Sequence, residues 1–237
     1  MLKIEHLQKT YENGKRAVDD LSLEIAPGEI FAFIGHNGAG KTTTIKSIVG
    51  LLDFEVGEIY VDNVSVKVNP ILCKSKIAYI PDNPDIYESL TGIQYLNFIA
   101  DIYKVSKEIR NDEIKKYGDI FELTKNFGDL ISSYSHGMKQ KLVLISALIR
   151  HPKLLLLDEP FVGLDPKAAF TVKQIMKDMC SNGSSVFFST HVLEVAEKLC
   201  DKVAIIKNGK LIAVGTMEEV RGDKTLEDVF LELYKDA

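Results

Sequence analysis

Residues 35–43, GHNGAGKTT, constrain the fold of this 237-residue chain more than any other stretch. They follow an apolar run typical of a buried strand, and they precede an amphipathic pattern that predicts a helix. Gly35, Gly40, Lys41 and Thr42 satisfy the spacing Gly-x-x-x-x-Gly-Lys-[Ser/Thr]. Glycines at those positions let backbone N–H groups turn toward phosphate oxygens, and the helix N-terminus adds its positive dipole end. We therefore predict a phosphate loop that binds a nucleotide. A chance glycine-rich turn, the alternative, is not expected between a strand and a helix.

This phosphate loop, residues 35–43, supplies most of the predicted nucleotide contacts. We expect Lys41 to reach the β- and γ-phosphates and to take part in catalysis, and the Thr42 hydroxyl to ligate Mg²⁺. The predicted contacts in the loop are Gly35, His36, Asn37, Gly38, Ala39, Gly40, Lys41, Thr42 and Thr43.

A second apolar run, KLLLLDEP, ends in the carboxylates Asp158 and Glu159. Ligands bind at the carboxyl ends of the strands in open α/β sheets. We expect Asp158 to hold Mg²⁺ through water and Glu159 to polarise the water that attacks the γ-phosphorus. Solvated acids at a strand end are the alternative, and the phosphate loop favours the functional interpretation.

Strand-like and helical patterns alternate along the chain, which predicts the α/β class. Four of the strand-like runs are almost continuously apolar, as in a parallel sheet that is buried on both faces. The last run contains Asn208-Gly209, a hairpin turn signal. Residues 83–149 look almost wholly helical. The strand-like runs lie at 29–35, 76–80, 154–158, 185–190 and 203–215.

Composition argues against several other classes of protein. The net charge is −5, so no basic field indicates a nucleic-acid partner. The three cysteines are far apart and show no Cys-x-x-Cys spacing, which favours reduced thiols over disulfides or a zinc site. No apolar run reaches the roughly 18 residues of a membrane span, and the first ten residues lack a secretory h-region. Any membrane role is therefore expected to come through a partner.

Four further segments occur in a specific order. Tyr11 lies upstream of the phosphate loop, YSHGM (134–138) lies one helix before the carboxylates, GLDP (163–166) follows them, and His191 follows SVFFST. In this order the chain resembles, over essentially its whole length, the ATP-binding subunit of an ABC transporter. The guanine-specific motif Asn-Lys-x-Asp does not occur, so a GTPase fits less well.

The resemblance implies a P-loop NTPase (RecA-like) α/β core, with an N-terminal antiparallel β-subdomain and an inserted α-helical subdomain. The core with its β-subdomain would occupy 1–82 and 153–224, the helical signature subdomain 83–152 and a C-terminal tail 225–237. One ATP-binding domain would then span 2–224.

The resemblance also implies that two such subunits face each other head to tail, each holding ATP between its phosphate loop and the partner's signature. Here the signature is Ser135, His136, Gly137 and Met138, whereas the family's commonest form is Leu-Ser-Gly-Gly-Gln. We expect it to work, because the donors are the Ser135 hydroxyl, at a helix N-cap, and backbone N–H groups. His136 is expected to be a tolerated side chain near the interface.

Four more residues receive roles from the resemblance. His191 is expected to contact the γ-phosphate and hold the attacking water, and Asp165 of the D-loop to lie near the dimer interface. Tyr11 would stack on adenine, and Asp82, in place of the family's usual glutamine, would ligate Mg²⁺. A helix-start histidine, a packing aromatic and a turn aspartate are the alternatives for His191, Tyr11 and Asp82.

The predicted function is hydrolysis of MgATP by a homo- or heterodimer that powers a separate integral membrane permease from the cytoplasmic face of the cell membrane. The permease is expected to dock at Ile86, Tyr87 and residues 90–99. The tail TLEDVFLEL (225–233) resembles that of ATPases paired with drug and antibiotic exporters, so export is the expected direction. Two alternatives remain: a weakly hydrolysing regulatory subunit that needs a different ATPase partner, and a soluble ABC ATPase of translation or DNA repair.

Overall fold

The computed structural model describes residues 1–235, so the last two residues of the predicted tail lie outside the described part. Two short 3₁₀ segments, Thr124–Asn126 and Ile131–Ser133, accompany the regular elements. In chain order these are β1 (Leu2–Thr10), β2 (Arg16–Ile25), β3 (Ile30–Ile34), α1 (Lys41–Ile48), β4 (Val56–Val61), β5 (Val64–Ser65), α2 (Pro70–Lys76), β6 (Ile77–Ile80), α3 (Gly92–Ile102), α4 (Lys107–Ile120), α5 (His136–Leu148), β7 (Leu154–Asp158), α6 (Pro166–Ser181), β8 (Ser185–Thr190), α7 (Leu193–Leu199), β9 (Lys202–Lys207), β10 (Lys210–Thr216), α8 (Met217–Arg221) and α9 (Leu226–Lys235).

The strands form two sheets. An antiparallel sheet has the order β2-β1-β4-β5, and a larger sheet has the order β10-β9-β3-β8-β7-β6. In the larger sheet β3, β6, β7, β8 and β9 pair in parallel, and β10 returns antiparallel to β9. Asn208 and Gly209 form that turn with φ values of 49° and 83°, as a tight hairpin requires. The predicted α/β fold with an N-terminal antiparallel sheet is confirmed.

The parallel strands are buried on both faces, which explains their continuous apolar sequences. Along β3, Ile30, Ala32 and Ile34 pack into one core, while Phe31 and Phe33 pack into the other. The first core continues into the helices α3, α4 and α5, and the second lies between the larger sheet and the antiparallel sheet. Alternate residues of the same strand therefore pack into the two hydrophobic cores on opposite faces of the larger sheet.

The stretch predicted to be almost wholly helical contains more irregular backbone than expected. Residues 81–91 contain no helix, and residues 121–135 hold turns and the two 3₁₀ segments. Pro81 and Pro84 have no N–H to donate to a helical hydrogen bond. Thr91 is the N-cap of α3 and forms a capping box, so the helix begins only at Gly92. Among residues 1–235, no helix combines the length and apolar character needed to cross a bilayer.

Candidate active site

The phosphate loop connects the end of β3 to the start of α1. A Cβ atom at Gly35 would lie 2.5 Å from the carbonyl oxygen of Ile206, and one at Gly40 would lie 2.4 Å from that of Ala17. Gly40 also has φ +116°, a backbone conformation that is unfavourable for any residue with a side chain. The two glycines of the motif are thus required by close packing against β9 and β2. The loop is held against the sheet, with its open side facing a cavity.

Lys41 lies inside the loop and is only 6% exposed. Its Nζ donates to the carbonyl oxygen of Gly35 at 2.6 Å and lies 3.6 Å from Oε1 of Glu159. A buried ammonium needs such partners because burial removes its hydration. Lys41 is therefore held beside the loop's carbonyl oxygens, within reach of a ligand that enters the cavity.

Asp158 lies at the end of β7, where strand register brings it beside β8. Its Oδ1 accepts a hydrogen bond from Ser189 Oγ at 2.5 Å, and its Oδ2 accepts one from Thr42 Oγ1 at 2.7 Å. Ser189 is directly paired with Asp158 across the parallel strands. The contact of Ser189 with Asp158 was not predicted from the sequence. The polar residues that end the apolar run SVFFST could have indicated it.

Glu159 lies between two candidate catalytic side chains. Its Oε2 is 2.9 Å from Nδ1 of His191, and its Oε1 faces Lys41. Its backbone adopts φ +51°, a left-handed conformation that is uncommon for a glutamate. The Glu159 amide donates to the carbonyl oxygen and the hydroxyl of Ser189, which hold this conformation in place.

A cavity of about 420 Å³ lies in front of the loop. Tyr11 borders it, with its hydroxyl 3.0 Å from Oγ1 of Thr43 and 38% of its surface exposed. Gly35 and Ala39, two predicted contacts, are buried and lie outside this lining. Lys15 and Ala17 line the cavity and were not predicted. The lining residues are Tyr11, Lys15, Ala17, His36, Asn37, Gly38, Gly40, Lys41, Thr42, Thr43, Asp82, Asp158 and Glu159.

Three oxygen-bearing side chains at this cavity suit a magnesium ion. The Thr42 hydroxyl and the carboxylates of Asp158 and Asp82 are hard oxygen donors of the kind that Mg²⁺ prefers. The charges of these two carboxylates also act on a neighbouring phenol. Burial raises the pKa of Tyr79 well above its usual range, and Asp158 and Asp82 add to that effect.

The signature residues lie on a different part of the surface. Ser135 and His136 are exposed at the start of α5, where Ser135 Oγ accepts from the amide of Met138 at 3.3 Å, as an N-cap does. The amides of His136 and Gly137 have no hydrogen-bond partner among residues 1–235. Residues 135–138 are not part of the cavity lining described above. The fold therefore does not bring signature and phosphate loop together within one chain.

The D-loop contacts the signature helix. The imidazole of His136 lies against Gly163, where a Cβ atom would be 2.9 Å from its ring. Asp165 caps α6 by accepting from the amide of Ala168 at 2.8 Å, and its carboxylate lies 3.1 Å from Lys141 Nζ. The hydrogen bond from Ala168 and the nearby Lys141 lower the pKa of Asp165. His136 thus turns its side chain toward the D-loop and leaves its amide free.

The comparisons with known proteins identify the family. A family model described as ABC transporter matches residues 18–162. The chain belongs to this family. EcsA, an ABC-type transporter ATP-binding protein of Bacillus subtilis (strain 168), is 35% identical, with 100% of this chain and 97% of EcsA covered. The linearmycin resistance ATP-binding protein LnrL of the same strain is 33% identical over 93% of this chain and 70% of LnrL.

A comparison with solved structures identifies the same family. A structure of an ATP-binding subunit of an ABC transporter is 32% identical, with a TM-score of 0.95 and 99% of each chain covered. This chain is therefore an ABC transporter ATP-binding subunit that binds and hydrolyses ATP. The predictions of family, fold class and ATPase activity are confirmed.

Proposed function

We propose that this ABC subunit hydrolyses MgATP at a composite site between two subunits arranged head to tail. The observation that carries the proposal is the separation of the signature from the phosphate loop. Ser135 and His136 are exposed at the start of α5, the amides of His136 and Gly137 have no partner among residues 1–235, and none of these residues lines their own chain's cavity. Helix N-termini with unpaired N–H groups bind phosphate, so a second subunit's nucleotide satisfies them.

Within this composite site, Glu159 accepts the proton of the attacking water, and His191 holds that carboxylate through the contact at Nδ1. Lys41 shifts from the carbonyl oxygen of Gly35 to the phosphates and neutralises charge that develops on them. Tyr11 stacks on the adenine at the cavity's rim. Asp165 lies close to the dimer interface.

A magnesium ion fits the same cavity. Thr42 and Asp158 would hold it, with Asp82 as a further ligand, and it would neutralise phosphate charge when bound. In this role Ser189 is a positioning residue, because its hydroxyl fixes the carboxylate of Asp158.

A separate membrane permease is the proposed partner. Tyr87, just before α3, and Phe98, within α3, are 58% and 41% exposed and contact each other edge to face at 5.5 Å, which leaves an exposed aromatic surface there. A separate cavity of about 240 Å³ is lined by Leu51, Tyr79, Tyr103 and Arg150, among others. A groove of this kind takes an amphipathic helix of the permease. The subunit would then dock on the cytoplasmic face of the membrane.

Export is the proposed direction. The similarity to a linearmycin resistance ATP-binding protein supports it, together with the tail at 225–233. Closure of the ATP dimer would switch the permease between access states, and hydrolysis would reset it.

The dimer is tested by measuring the Mg²⁺-dependent ATPase rate against protein concentration for wild type, Ser135→Arg and Ser181→Arg. Ser181 is exposed at the end of α6 and provides a control with the same added charge. We expect the wild-type and Ser181→Arg rates to rise faster than linearly with concentration, and the Ser135→Arg rate to be lost. A linear rate that Ser135→Arg leaves unchanged would contradict the composite site. ATP binding without turnover at any concentration would favour a heteromeric partner.

A further inference from the structure

The tail helix α9 is packed onto the ATPase core. Its buried side chains are Leu226 and Phe230, and the amide of Leu226 donates to Oε2 of Glu197 in α7 at 3.1 Å. Glu197 also pairs with Arg221 at the end of α8, at 2.8 Å. These contacts fix the start of α9, so that its last turn is directed at the phosphate loop.

The last turn of α9 makes a hydrogen-bonded bridge to that loop. The hydroxyl of Tyr234 donates to the carbonyl oxygen of Ile206 at 2.7 Å and accepts from the amide of His36 at 3.2 Å. The same carbonyl of Ile206 is the one against which Gly35 packs. A single tail hydroxyl therefore connects the second residue of the loop to strand β9.

Aromatic contacts hold this bridge together. The imidazole of His36 meets the rings of Phe230 and Tyr234 edge-on, at centroid distances of 5.1 and 4.4 Å. Phe230 and Tyr234 stack on each other at 4.3 Å. Lys207 Nζ donates to the carbonyl oxygen of Tyr234 at 2.8 Å and lies over its ring. Edge-on and stacked aromatic pairs of this kind stabilise a contact beyond the area they bury.

We propose that α9 is a clamp on the phosphate loop and that Tyr234 is a positioning residue for ATP binding. The phosphate loop binds through the directions of its backbone N–H groups, and a loop already fixed in the bound form loses less entropy when ATP enters. Tyr234 fixes the point at which the loop leaves β3. Docking of the tail therefore raises ATP affinity, and ATP binding in turn stabilises the docked tail, since such coupling is reciprocal. This inference rests on the proposed role of residues 35–43 as the ATP site.

The first test compares Tyr234→Phe with Tyr117→Phe by titrating MgADP calorimetrically. Tyr117 is a buried tyrosine of α4 whose ring lies 4.8 Å from Lys116 Nζ, so Tyr117→Phe removes a tyrosine hydroxyl that does not line the cavity at the phosphate loop. Because Tyr234→Phe leaves the amide of His36 and the carbonyl of Ile206 without this partner, we expect its Kd to rise about 5- to 10-fold. The Kd of Tyr117→Phe should stay within about twofold. At saturating ATP, the kcat of Tyr234→Phe should also stay near the wild-type value, because the loop is then occupied.

The second test needs no substitution and measures amide hydrogen exchange in wild type with and without MgADP. We expect exchange across 226–235 to slow when nucleotide binds, while exchange across α4 stays unchanged. The clamp proposal would be wrong if Tyr234→Phe left the Kd unchanged, or if amide exchange in α9 were the same with and without MgADP. Lys41→Ala separates this failure from failure of the site itself. If that variant binds MgADP normally, the phosphate-loop assignment is wrong. If it loses binding while Tyr234→Phe does not, only the clamp is wrong.

Discussion

Glu159, the proposed general base, is held in an uncommon backbone conformation. Its φ of +51° turns the carboxylate, which is 14% exposed, toward Lys41 and His191. A left-handed conformation of this kind costs about 1 kcal/mol or more, and such residues cluster at active sites. Two hydrogen bonds from its amide to Ser189 offset that cost. Neither the backbone angle nor Ser189 was predicted, because both depend on how β7 and β8 pair.

Glu159→Gln should lower kcat by about 100- to 1,000-fold, because the amide retains the shape of the side chain and cannot accept the proton. ATP affinity should change little, and a stable nucleotide-bound dimer should accumulate. Steady-state turnover and size-exclusion chromatography in ATP check both expectations. Glu194→Gln is the control, since Glu194 is an exposed carboxylate paired with Lys198 on α7. Native turnover in Glu159→Gln would show that another group is the base.

Among the connections between elements, the turn after β4 joins the antiparallel sheet to the larger one. The carboxylate of Asp62 accepts from Lys76 Nζ at 2.7 Å, at the end of α2, and from Lys153 Nζ at 2.9 Å, just before β7. Hydrogen bonds from Lys76 and Lys153 lower the pKa of Asp62 to about 2. The pKa is depressed in the folded state, so the stabilisation is present above the unfolded value near 4 and is lost as pH falls toward 2.

Asp62→Asn should lower the free energy of unfolding by about 1 kcal/mol at pH 7, a value reduced for solvent screening of a partly exposed pair. Asparagine tolerates the φ of 50° at this position, so the turn itself is kept. Urea unfolding at pH 7, 4, 3 and 2.5 checks the prediction, and the difference from wild type should shrink between pH 4 and pH 2.5. The exposed Asp112 provides the control substitution, Asp112→Asn. A difference that stayed constant down to pH 2.5 would assign the effect to something other than this ionised carboxylate.

Across the whole molecule, the two parts of the proposed site lie on different elements. The phosphate loop follows β3 in the larger sheet, and Ser135 is the N-cap of α5. The D-loop contacts α5, the helix that begins with the signature, through the contact of His136 with Gly163 and the ion pair of Lys141 with Asp165. In a head-to-tail dimer, signature and D-loop of one subunit would therefore move together against the partner's nucleotide.

Mixing two inactive variants should restore activity if the site is composite. In a mixed dimer of Lys41→Ala with Ser135→Arg, one site combines an intact phosphate loop with an intact signature. Random pairing leaves half the dimers mixed, each with one intact site of two, so up to about a quarter of the sites are active. ATPase assays of each variant alone and of the mixture check this. A mixture as inactive as its components would count against sites shared between subunits.

Most of the fold and most of the residues brought together at the cavity were predicted from sequence, because their signals are local. The phosphate loop shows its glycine spacing, and Asp158 and Glu159 end an apolar run. Ser189, Lys15 and the bridge from Tyr234 to His36 carried no such signal, since each depends on contacts between segments far apart in the chain. The irregular backbone at 121–135 was missed because its apolar residues mimic a helical pattern. The roles assigned to all of these site residues stay predictions, those of the phosphate loop, Asp158 and Glu159 included.

The sequence by itself determined the family of this protein and the proposed chemistry: a glycine-rich loop for phosphates, a carboxylate pair at a strand end, and the order of motifs that places the chain among ABC ATP-binding subunits. Local spacing is sufficient there, since backbone amides and adjacent side chains act within a few residues. Only the tertiary structure decided that Glu159 faces both Lys41 and His191, that the signature lies away from its own loop, and that the tail contacts that loop. Those arrangements depend on strand register and helix packing, which join residues that are distant in sequence.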